Sequence, residues 1–91
     1  MTRRIVVTGR VQGVGFRAFV AARARTLGVK GCVWNRRDGA VEIIASSDAS
    51  QLAVFEQFLH TGPGHVSGVS AVDSEELFGA EGFRVDVDRN A

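Results

Sequence analysis

The sequence predicts an α+β sandwich in the order βαββαβ: an antiparallel sheet with two helices on one face and a short extra strand near the C-terminus. Three observations predict it. Apolar residues alternate at a period of two in several short stretches and recur at helical spacing in two others. The two kinds of stretch follow one another as strand, helix, strand, strand, helix, strand. An Asp-Gly step, Asp38-Gly39, falls between the two adjacent strand stretches, where a hairpin needs it.

Each element has its own signal. Residues 3–8 read as a strand, with Ile5 and Val7 toward the core and Arg4, Val6 and Thr8 on the other face. Residues 16–27 read as a helix. Phe16, Val20, Ala24 and Leu27 form its apolar stripe, Phe19 lies beside it, and Gly28 is the stop. Residues 30–35 and 40–45 read as two strands joined by the turn Arg36-Arg37-Asp38-Gly39. Asp48 and Gln51 form a cap pair for a second helix striped by Leu52, Phe55 and Leu59, with Phe58 adjacent. Thr61-Gly62-Pro63-Gly64 ends that helix, and strands are expected over residues 66–73 and 83–87. Two βαβ units in tandem make the split βαβ, ferredoxin-like sandwich, with the face away from the helices open. No linker or low-complexity stretch divides the chain, so one domain over residues 1–91 is expected.

Composition narrows the function. With 45 % hydrophobic residues the chain is no disordered segment, and no apolar run approaches a membrane span. Met1-Thr2-Arg3-Arg4 leads straight into a strand, which is not a secretion signal. One cysteine makes no internal disulfide, which suits a reducing cytoplasm. A cytoplasmic monomer with no membrane partner is the expectation. Net charge is only +1, but nine of the eleven basic residues lie in residues 1–37, and all ten acidic residues lie from Asp38 onward. Either a positive face surrounds the glycine-rich loop, or the two halves interleave and neutralise one another.

That loop, Gly9-Arg10-Val11-Gln12-Gly13-Val14-Gly15-Phe16-Arg17, is the stretch that carries chemistry. Glycines let backbone N–H groups turn inward onto an anion. The helix N-terminus adds a fixed positive end of about half an elementary charge. Arg17 stands where the helix starts and brings a planar fork suited to a phosphate. The pattern is not a P-loop, because no Lys-Ser/Thr pair follows, and its spacing is not that of a dinucleotide site. Glycine-rich turns also occur with nothing bound, so the glycines alone leave a phosphate pocket and an ordinary turn both open.

Read whole, Thr8-Gly9-Arg10-Val11-Gln12-Gly13-Val14-Gly15-Phe16-Arg17 resembles the first signature of the acylphosphatase family. Downstream, Gly31-Cys32-Val33-Trp34-Asn35-Arg36-Arg37-Asp38-Gly39-Ala40-Val41 resembles the second. The resemblance runs over nearly the whole chain. Cys32 stands where the family usually has an aromatic, Trp34 where a basic residue is common, and Ser46 or Ser47 where a glycine usually follows the third strand. The resemblance implies hydrolysis of the carboxyl-phosphate bond of acyl phosphates to carboxylate and inorganic phosphate, with no cofactor. It implies Arg17 and Asn35 as the catalytic pair, Arg17 on the phosphoryl group and Asn35 on the attacking water. The phosphate cradle would be the backbone of Gln12, Gly13, Val14, Gly15, Phe16 and Arg17. The residues themselves suit this. An acyl phosphate leaves as a carboxylate and needs little acid help, so positioning and charge stabilisation remain the task. By itself, Asn35 also reads as an ordinary residue opening the turn.

Other chemistries have weaker footing. His60 and His65 flank a Gly-Pro-Gly turn with no accompanying acidic or cysteine cluster, so no metal site is expected. Cys32 lies in mid-strand with no histidine close in sequence and reads as a buried apolar residue. The alternative is a non-catalytic RNA- or polyanion-binding ferredoxin-like module. RNA-binding sheets of this kind present several aromatics, whereas Val6, Thr8, Glu42 and Ile44 are expected on the open face here, so nucleic acid is not the expected partner. The chain is also short and lacks the cysteine pairs of hydrogenase-maturation proteins, whose N-terminal region is acylphosphatase-like. Trp34 is expected half-exposed on the open face, either as a partner contact or as a lone aromatic over Val6 or Ile44.

Overall fold

In the computed structural model, which describes residues 1–75 and 82–87, the alternation at the N-terminus becomes a long strand, β1 (Thr2–Arg10), with Ile5 and Val7 fully buried. The first helical stripe becomes α1 (Phe16–Leu27), which buries Phe16, Val20, Ala21 and Ala24. It ends at Gly28, where the amides of Gly28 and Val29 turn back onto the carbonyls of Arg25 and Ala24 at 3.3 and 2.8 Å. β2 (Lys30–Asn35) and β3 (Val41–Ser46) form the hairpin around Asp38-Gly39. Asp48 caps α2 (Ala49–Leu59), its Oδ1 accepting from the Gln51 amide at 2.8 Å. That bond, with a second from the Ser50 hydroxyl, holds the Asp48 carboxyl below its ordinary value. β4 (His65–Ser74) and β5 (Phe83–Val85) follow, the last stopping two residues earlier than the spacing predicts. Residues 76–81 and 88–91 of the expected domain lie outside the described residues.

The strands form one sheet in the order β4-β1-β3-β2-β5. The first four pair antiparallel, as expected, but β5 pairs parallel to β2. Direction explains this: β2 runs opposite to β4, and the chain reverses between β4 and β5, so β5 must run with β2. One row across the sheet reads Ala71, Ile5, Ile43, Val33, Val85. Both helices cover that face. Ile5, Val7, Val33, Val41 and Ile43 join Phe16, Val20, Ala24, Leu52, Phe55 and Leu59 in one core. Burying each of the valine, isoleucine, leucine and phenylalanine side chains among them stabilises by about 1.5–3 kcal/mol.

The opposite face departs from expectation. Trp34 is 3 % exposed, not half-exposed, and forms a second cluster with Cys32 and Ile44. Its cross-strand partner Glu42 is equally buried. Glu42 draws in Arg4 and Arg36, the latter with Nη1 at 3.2 Å, so two guanidinium groups converge on this face. A buried carboxylate needs such partners, and strand alternation alone does not reveal that it will have them. Neither reading of Trp34 as a surface group survives. Trp34→Ala is expected to cost on the order of 3 kcal/mol, read from the urea midpoint, because it opens a cavity between Cys32 and Ile44.

The charge halves do interleave. Arg3 pairs with Glu56 at 3.2 Å and lies 3.8 Å from Asp73, and Arg36 holds Asp38 at 2.7 Å. Arg3, Arg4 and Arg36 are thus matched by acids from Asp38 onward.

Candidate active site

β1 and β2 run in the same direction, so the loop leaving β1 and the residue ending β2 meet at one end of the sheet. Asn35 is that residue. It pairs with Val41, which pairs with Val7, and both valines are buried against the helices. Asn35 therefore faces the helix side, level with the start of α1.

The start of α1 is built to stay open. Its N-cap is Gly15, in the left-handed conformation at φ 84°, and no side chain among the described residues caps it. No acidic residue stands in the first turn. The Phe19 amide closes onto the Gly15 carbonyl at 3.1 Å, while the helix offers no partner to the amides before it. Gly13 is also left-handed, at φ 73°, and a Cβ on either glycine would meet nothing within 4 Å. The glycines are needed for backbone direction, not for space. The sign of φ alternates through Gly13, Val14 and Gly15, the backbone pattern by which successive N–H groups can form an anion-binding concavity.

Phe16 and Arg17 divide the labour. Phe16 is 1 % exposed and anchors the first turn in the core, its ring 6.0 Å from that of Phe19. Arg17, next in sequence, lines a cavity of about 230 Å³, and its Nη1 donates to the Asp86 carbonyl at 3.3 Å. Gly13, Gly15, Phe16, Arg17 and Asn35 all line that cavity. Of the cradle residues read from the sequence, Gln12 and Val14 are not among its lining. Val14 packs against the core, and the Gln12 amide reaches the β2–β3 turn. Val11, which lies in the glycine-rich loop, lines the cavity as well, and so do Ala18 and Val85, which no sequence signal placed there. Val85 arrives through the parallel pairing of β5 with β2, which joins segments far apart in the chain.

The β2–β3 turn that follows Asn35 is tightly held. The Arg36 amide donates to the Ala40 carbonyl at 2.9 Å, and Asp38 accepts from the Ala40 amide at 3.1 Å. The Ala40 amide and the Arg36 guanidinium keep the Asp38 carboxyl below its ordinary value. Among the described residues, no group of three or more His, Cys, Asp or Glu is placed to hold a metal ion. His60 and His65 are both exposed.

The acylphosphatase family model matches residues 3–86. An acylphosphatase of Koribacter versatilis is 44 % identical over 87 residues, covering 93 % of this chain and 79 % of its own length. One from Pasteurella multocida is 41 % identical over 82 % of this chain and 83 % of its own. The crystal structure of acylphosphatase from Bacillus subtilis superposes with a TM-score of 0.88 at 39 % identity, covering 93 % of this chain and 97 % of that one. With the match spanning both strand–loop–helix and hairpin motifs, this chain belongs to the acylphosphatase family of hydrolases.

Proposed function

We propose that this chain hydrolyses acyl phosphates through a backbone cradle, one arginine and one asparagine. The backbone amides of residues 12–17 and the Arg17 guanidinium hold the phosphoryl oxygens, and the Asn35 side chain orients the attacking water. The observation that carries the reading is that Arg17 and Asn35 line one cavity at the uncapped N-terminus of α1. The water oxygen forms a bond to phosphorus in line with the acyl oxygen. The P–O bond to that oxygen breaks, and the carboxylate leaves with its electron pair. The water's proton passes to a phosphate oxygen or to solvent. A carboxylate is a good leaving group, so no general acid is required, and an amide side chain that accepts and donates suffices to aim the water. The equatorial oxygens gain charge stabilisation from donors already in place.

The same proposal takes residues 1–91 as one domain acting as a cytoplasmic monomer, with no cofactor and no nucleic-acid partner. Among the described residues no helix is long and apolar enough to cross a membrane. On the face opposite the helices, Trp34 is buried, so it is no stacking platform for bases. The test is a comparison of substrates in excess chelator. Benzoyl phosphate and acetyl phosphate are expected to be hydrolysed at an undiminished rate, and a phosphate monoester far more slowly. Hydrolysis that stops with chelator would contradict the mechanism.

A further inference from the structure

Gln12 belongs to the glycine-rich loop, yet its side chain is committed elsewhere. Its Nε2 donates to the Arg36 carbonyl at 2.7 Å and to the Ala40 carbonyl at 3.0 Å. Both partners only accept, so the amide nitrogen, not the oxygen, must face them. These carbonyls stand at the two ends of the β2–β3 turn, and each already has a backbone donor. The Gly39 amide donates to Arg36 at 3.3 Å, and the Arg36 amide to Ala40 at 2.9 Å. The turn therefore does not need Gln12 to satisfy its backbone. What Gln12 adds is a cross-link between the loop at α1 and the residue next to Asn35. Arg36 is fixed from its other end too, with Nη1 on Glu42 at 3.2 Å and Nη2 on Asp38 at 2.7 Å.

We propose that Gln12 is a positioning residue, whose side chain sets the separation between the phosphate-holding loop and Asn35. The inference rests on the proposed role of Asn35 and deepens it. The loop holds the phosphorus, and Asn35 holds the water. In-line attack depends on their distance, and Gln12 is the side chain that spans it. A misplacement of about 1 Å costs on the order of a hundredfold in rate.

Two variants test this. Gln12→Met keeps the length and removes the donors; Gln12→Glu keeps the shape and sets oxygens against two carbonyls. Each is made alone and with Asn35→Ala, and kcat, KM and competitive inhibition by inorganic phosphate are measured on benzoyl phosphate. Both single variants are expected to lower kcat roughly 10- to 100-fold, with phosphate inhibition close to that of the parent. In the Asn35→Ala background, Gln12→Met is expected to add little, because the group it positions is gone. An unchanged kcat, a parallel loss of phosphate inhibition, or a full multiplicative loss in the double variant would overturn the role of Gln12. If Asn35→Ala alone retains full turnover, the water-orienting reading itself falls, which is a separate outcome.

Discussion

Arg17→Ala is expected to lower kcat/KM on benzoyl phosphate by a hundredfold to several thousandfold while the fold survives. The size follows from the grip that the guanidinium provides. A charge-assisted, bidentate hold on phosphoryl oxygens inside a site is worth on the order of 3–5 kcal/mol in the transition state. The fold survives because Arg17 contributes little to the core. Phe16 beside it carries the packing, and the Arg17 bond to the Asp86 carbonyl is only part-buried. Removing that bond costs about 1 kcal/mol of stability. Arg17→Lys is expected to rescue poorly, because an ammonium cannot form the planar fork. Far-UV circular dichroism with a urea titration checks the fold, and steady-state kinetics checks the rate. Near-normal turnover in folded Arg17→Ala would remove the arginine from the mechanism.

Asn35→Ala is expected to separate chemistry from binding. Its kcat should fall about a hundredfold or more, the scale for a reacting group that loses its alignment. Competitive inhibition by inorganic phosphate should change little, since the loop and Arg17 remain. Asn35 ends β2 on the helix side and has no place in the buried core, so its loss should spare stability. Loss of phosphate inhibition in parallel with turnover would move Asn35 from the water to the cradle.

Local signals in the sequence translate well. The alternation at Ile5 and Val7, the stripe from Phe16 to Ala24, the Asp48–Gln51 cap and the Asp38-Gly39 turn each depend on neighbours within a few residues, and each stands in the structure as read. Arg17 and Asn35 stand out in the sequence because each lies at an element boundary that these signals define, and the roles proposed for them come from the family resemblance. Long-range consequences are not legible. The parallel pairing of β5 brings Val85 to the cavity, and nothing near residue 85 announces it. Trp34 is buried beside its cross-strand partner Glu42, which reads as a surface residue until Arg4 and Arg36 arrive from two other segments. Gln12 reads as a backbone member of the cradle, and nothing in its loop announces that its side chain bonds carbonyls 24 and 28 residues away.

The central claim is where the phosphoryl group sits. A titration of the protein with inorganic phosphate, followed residue by residue through backbone amide shifts, tests it most directly. The account predicts saturable shifts concentrated at the amides of residues 12–17 and at the Asn35 side-chain amide, abolished by Arg17→Ala. Saturable shifts centred elsewhere, or none at phosphate concentrations that inhibit hydrolysis, would contradict it.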